Sequence, residues 1–93
     1  MIELASRPRL AVKARLRFDA RSGRQMLLYP ERGLELTDSA ARIVALFGEE
    51  RTVDAIVQAL VAASGEPRAR IEAEVLTFLR ALDERGLLVE TTP

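Results

Sequence analysis

From Leu10 to Phe18 the apolar side chains fall on every second residue: Leu10, Val12, Ala14, Leu16 and Phe18. Arg9, Lys13, Arg15 and Arg17 occupy the positions between. A period of two predicts a half-buried strand, or two short strands with a bend, carrying one basic face. Asp19-Ala20-Arg21-Ser22-Gly23 is turn material, and Met26-Leu27-Leu28-Tyr29 follows as a second strand, which predicts a hairpin. Pro30 cannot donate to a ladder and breaks that strand. Gly33-Leu34-Glu35-Leu36 then reads as a short third strand, a candidate for the edge of a sheet.

Beyond Leu36 the pattern changes to a helical one. Thr37 or Asp38 caps a helix with Ala40, Ile43, Val44 and Phe47 on one face, ending near Gly48. Glu49-Glu50-Arg51 is a charged connector. Thr52 caps a second helix, with Val53, Ile56, Val57 and Leu60 inward and its end near Gly65. The third helix, Glu66 to Gly86, organises the rest. Pro67 suits its first turn and Gly86 its C-terminal cap. Ile71, Val75, Phe78 and Leu82 recur at spacings of one face, and Leu76 and Leu79 widen that stripe to roughly 160°. One core needs only about 100° of apolar face. The surplus either packs within the chain or forms a second surface for a partner. Leu87-Leu88-Val89 adds a last strand or simply packs down.

The predicted fold is α+β, winged helix-turn-helix-like: a small three-stranded antiparallel sheet followed by three helices. Residues 9–90 form one domain, between a flexible N-terminal arm (1–8) and a tail (91–93). Ninety-three residues leave no room for a second core. With 48% apolar residues the chain reads as globular. Fourteen basic and fourteen acidic residues cancel, so net charge favours neither nucleic acid nor an acidic membrane. The N-terminus lacks a signal-peptide apolar core, and no segment has the roughly 20 apolar residues of a membrane span. The default location is cytoplasmic.

The chain contains neither Cys nor His. That removes disulfides, thiolate nucleophiles, Cys/His metal sites and imidazole acid–base chemistry. Ser39 and Ser64 have no His partner, and Glu49/Glu50 and Glu72/Glu74 sit in charged surroundings with nothing to separate their pKa values. No catalytic, cofactor or metal site is expected; the chain reads as a binding module, not an enzyme. The alternative reading is another protein-interaction module or DNA binding, which a winged helix invites. Against it, the third helix balances Arg68, Arg70, Arg80 and Arg85 with Glu72, Glu74, Asp83 and Glu84, whereas phosphate contact needs net positive charge. The other route is peptide capture: an unpaired edge at 33–36 offers backbone groups, and a neighbouring apolar helix face offers pockets.

The residues Arg9-Leu10-Ala11, Arg15-Leu16-Arg17 with Asp19, Leu27-Leu28-Tyr29-Pro30-Glu31 and Leu34-Glu35-Leu36 resemble the PqqD family of pyrroloquinoline quinone (PQQ) biosynthesis proteins. The likeness continues through Ala40 with Ile43, Arg51-Thr52-Val53 with Ile56 and Leu60, and Glu74-Val75 with Phe78-Leu79. It closes on Leu82 and Arg85-Gly86-Leu87-Leu88. Two stretches depart from the family pattern: Phe47-Gly48-Glu49-Glu50, and Glu74 where Asp is common.

The resemblance implies a peptide chaperone, a recognition element for ribosomally made, modified peptides (a RiPP recognition element). It would bind the precursor peptide PqqA and present it to the radical-SAM enzyme PqqE, which crosslinks a Glu and a Tyr of that peptide. It also implies a site in which the peptide adds as a strand beside Leu34, Glu35 and Leu36. The wall of that site would be the third helix, through Ile71, Val75, Phe78, Leu79 and Leu82. Arg32, Arg68 and Arg80 would attract an acidic peptide weakly. A bare edge and short connectors leave the oligomeric state as monomer or strand-exchanged homodimer.

Overall fold

The computed structural model describes residues 2–30, 32–48 and 51–91. Glu31 of the Pro-Glu turn, Glu49 and Glu50 of the charged connector, and Thr92 and Pro93 of the tail lie outside the described residues. Five strands and three helices follow in the order β1 (Arg7–Leu10), β2 (Arg15–Asp19), β3 (Arg24–Tyr29), β4 (Arg32–Glu35), α1 (Asp38–Ala45), α2 (Val53–Ser64), α3 (Arg68–Glu84) and β5 (Leu88–Thr91). The α+β class and the three-stranded antiparallel sheet β2-β3-β4 are as expected. A second antiparallel sheet joins the two ends of the chain, with Arg7 opposite Thr91 and Leu10 opposite Leu88.

The helices form where the capping chemistry puts them. Thr37 Oγ1 accepts the Ala40 N–H and Thr52 Oγ1 accepts the Ala55 N–H, each at 3.1 Å, satisfying one otherwise unpaired donor per helix. Gly65 closes α2 at φ 70°, a left-handed conformation that a side chain at this position would strain. Ile71, Val75, Leu79 and Leu82 bury one face of α3 in the core that also holds Ile56 and Val57 of α2 and Leu27 of β3.

The first apolar alternation is two strands rather than one, and its even positions are not a continuous inner face. Ala14 is buried, but Val12, at the bend, is 100% exposed. Leu16 and Phe18, on β2, are 38% and 58% exposed. The helices cover the middle of the sheet and leave its β2 side open.

Residues 2–8, expected as a loose arm, are tied down. Ile2 has no exposed surface, and Pro8 is fully buried. The Val53 and Asp54 N–H groups, orphan donors of the first turn of α2, donate to the carbonyls of Ser6 and Leu4 at 2.9 Å. The Ile2 carbonyl accepts from Arg80 Nη2 at 3.2 Å and Nε at 3.3 Å. Arg80→Ala is therefore expected to remove about 1 kcal/mol of stability and to speed amide exchange selectively in residues 2–6. Exchange rates in that segment unchanged by the substitution would show that Arg80 does not hold it.

Candidate functional site

β4 pairs with β3 on one side only; its other rim has no partner strand among the described residues. Which of its backbone groups face outward follows from the ladder. The Leu36 N–H donates to the Gln25 carbonyl at 2.9 Å, which puts Gln25 and Leu36 at a hydrogen-bonded position of the ladder. In an antiparallel ladder such pairs alternate, which makes Leu34/Leu27 and Arg32/Tyr29 bonded as well. Gly33 and Glu35 are left with N–H and C=O pointing out from the sheet. The Glu35 side chain turns to the outer face, where Arg24 Nε holds it at 2.9 Å. What Glu35 offers at the rim is its backbone.

Beside that rim lies a groove of about 230 Å³ between β4 and the C-terminal half of α3. Leu34, Glu35, Leu36, Phe78 and Leu82, all expected site residues, line it together with Thr37, Ala40, Ala81 and Arg85. The groove runs on along α3 past the start of α1 as a hollow of about 550 Å³, in which Thr37, Ala40 and Phe78 recur beside Ala73 and Thr77. A third hollow, about 370 Å³, lies between the three helices and takes Ile71 and Val75. Leu79 enters none of these: with no exposed surface, it belongs to the core.

The groove residues missed by sequence reasoning have a simple pattern. Ala73, Thr77 and Ala81 stand four apart on α3 and Arg85 follows at its C-terminal cap, so they form one row beside the apolar stripe. Small side chains there keep the floor low, and half-buried Phe78 rises next to them. The row is about 18 Å long, the reach of five or six extended residues. The signal was a run of small residues bordering the stripe, and it is easily read as filler.

The electrostatics reassign two of the three expected attracting charges. Arg68 bridges to Asp54 of α2, and to Glu72 at 3.5 Å. Its guanidinium is held above its ordinary pKa chiefly by the hydrogen bond to Asp54. Arg80 holds the Ile2 carbonyl. Arg70 pairs with Glu66 at 3.5 Å, so the basic residues of the first α3 turns face acidic neighbours rather than an open field. Arg85, which was not expected, is the cation at the groove itself. Among the described residues there is no group of three side chains able to hold a metal ion, and no helix is long and apolar enough to cross a membrane.

Comparison with known proteins gives a consistent picture. Residues 24–88 match the family model described as Coenzyme PQQ synthesis protein D (PqqD). A protein named PqqA binding protein from Rhodopseudomonas palustris (strain BisB5) is 40% identical over 86 residues, covering 92% of this chain and 84% of that protein. The Bifunctional coenzyme PQQ synthesis protein C/D of Methylorubrum extorquens is 37% identical over 81 residues, 87% of this chain and 22% of that longer protein. The solution NMR structure of the PqqD truncation of Methylobacterium extorquens PqqCD, described as a functional, stand-alone RiPP recognition element, superposes with a TM-score of 0.83. It is 34% identical, over 96% of this chain and 95% of that one.

Proposed function

The chain belongs to the PqqD family, and from that premise we propose that it binds the PQQ precursor peptide PqqA as a strand added to β4 and presents it to the radical-SAM enzyme PqqE. The half-paired β4 beside an apolar groove is the observation that carries this reading. Gly33 and Glu35 supply main-chain donors and acceptors that fix the register of the guest, and alternate guest side chains drop toward Leu34, Phe78 and Ala81. Arg85 draws acidic residues of the guest to the mouth of the groove. Sequence-independent backbone pairing supplies affinity, and the groove supplies selectivity.

The names of the relatives describe binding, which supports a role without catalysis for this chain. A chain lacking Cys and His leaves the crosslinking chemistry to its partner. The handover to PqqE rests on the family resemblance. Titration of isotope-labelled protein with a PqqA-like peptide tests the site. Shifts are expected at residues 33–37 and along 73–85. Shifts confined to the β2–β3 hairpin would overturn the assignment. Adding PqqE should then broaden the signals of the complex without releasing the peptide.

A further inference from the structure

The groove beside β4 does not end at Thr37. The hollow between the three helices, about 370 Å³, shares Ser39, Ile43 and Glu74 with the hollow next to it, which in turn meets the groove at Thr37, Ala40 and Phe78. The three therefore form one continuous path along α3. Core residues Ile43, Ile71 and Val75 floor its far end beside half-buried Leu60, while Ala63 and Ser64, small and exposed, leave its α2 side low. The charges around that end cancel: Arg70 pairs with Glu66 at 3.5 Å, and Arg42 and Glu74 add one of each sign. A charged occupant meets no net field there, whereas an apolar one leaves water for an apolar floor.

Granted strand addition at β4, we propose that this far end is an anchor pocket for the same guest. It takes a large apolar side chain, Leu or Phe in kind, from outside the segment paired with β4. Antiparallel pairing is the stronger per residue, and β4 runs from the groove toward Thr37, so an antiparallel guest comes out of the pocket and onto β4. Its anchor thus lies on the N-terminal side of its paired segment. Ala81 in the groove and Ile71 in the pocket stand about 15 Å apart along α3, a span of four or five extended residues. Backbone pairing fixes the register, and the pocket selects for the side chain that stands at that one spacing upstream.

Titration of isotope-labelled protein tests this with two ligands, a PqqA-like peptide and the same peptide cut back to the start of its paired segment. Both should shift residues 33–37. Only the longer should also shift Leu60, Ala63 and Ile71, and it should bind about tenfold more tightly. Ala63→Phe fills the pocket from an exposed position of α2. It should lower affinity for the longer peptide to that of the shorter and leave the shorter unaffected. Four results would each overturn the pocket and leave strand addition standing: shifts at 33–37 with none at Leu60, Ala63 or Ile71; equal affinities of the two peptides for the wild type; undiminished binding of the longer peptide by folded Ala63→Phe; or pocket shifts that survive the N-terminal cut and vanish on a C-terminal one. Absence of shifts at 33–37 with either peptide would instead overturn strand addition, and the pocket with it.

Discussion

Leu79→Ala is expected to lower the melting temperature by about 10 °C or more, and Phe78→Ala, one residue away, to act mainly on the guest. Leu79 has no exposed surface and shares the core with Leu27, Ile56 and Leu82. Truncating a fully buried Leu costs about 2–5 kcal/mol, the lost transfer energy plus the cavity left behind. In a domain this small that is a large part of total stability, and each kcal/mol shifts the midpoint by about 4–8 °C. Phe78 is half-buried and lines the groove beside β4. Its loss should weaken binding of a PqqA-like peptide about tenfold or more, as expected for an aromatic anchor at an interface, with a smaller thermal shift than Leu79→Ala. Thermal melts and peptide titrations of both variants check the division. Unchanged peptide affinity in folded Phe78→Ala would remove α3 from the binding wall.

Glu35→Pro is expected to weaken the peptide about tenfold while leaving the domain folded. The Glu35 N–H faces away from β3, so proline deletes no bond of the sheet, and the preceding Leu34 is already extended, as a residue before proline requires. The guest loses one main-chain donor, the Glu35 N–H, and meets a ring at the rim; a hydrogen bond alone contributes about 1 kcal/mol, and the steric term adds to it. Glu35→Ala is the matching control. It breaks the exposed pair with Arg24 but keeps the N–H, and should change binding little. If the alanine variant binds as poorly as the proline one, the side chain and not the backbone does the recognising, and strand addition at β4 is wrong.

What the sequence made legible follows from how local each signal is. The caps at Thr37 and Thr52 and the glycine stop at Gly65 act over a single turn, and the helices lie close to where these residues put them. The chain-end sheet was not legible, because Arg7–Leu10 and Leu88–Thr91 find one another across nearly the whole chain. Nor was the packing of the N-terminus: Ile2, Leu4 and Ala5 are too short a run of apolar residues to show a period. The alternation from Leu10 to Phe18 overstated burial because period two reports side-chain direction, and coverage depends on where the helices land. At the site, the edge at Leu34–Leu36 was visible as a short strand after Pro30. Which α3 residues line the groove was not, since Phe78 and Leu79 are equally apolar and only their angle around the helix separates them. Arg68 and Arg80 read as open cations because their partners, Asp54 and the Ile2 carbonyl, are remote in sequence.

The antiparallel pairing of the first and last strands has a bearing on how such a module is carried. Arg7 and Thr91 are neighbours, but ahead of Arg7 the chain runs on to Ile2, whose carbonyl Arg80 holds. A tether at the front therefore starts from the Arg80 side and one at the back from the end of β5, while β4, paired with β3 in the other sheet, takes no strand from either end and need not be rebuilt when the tether changes sides.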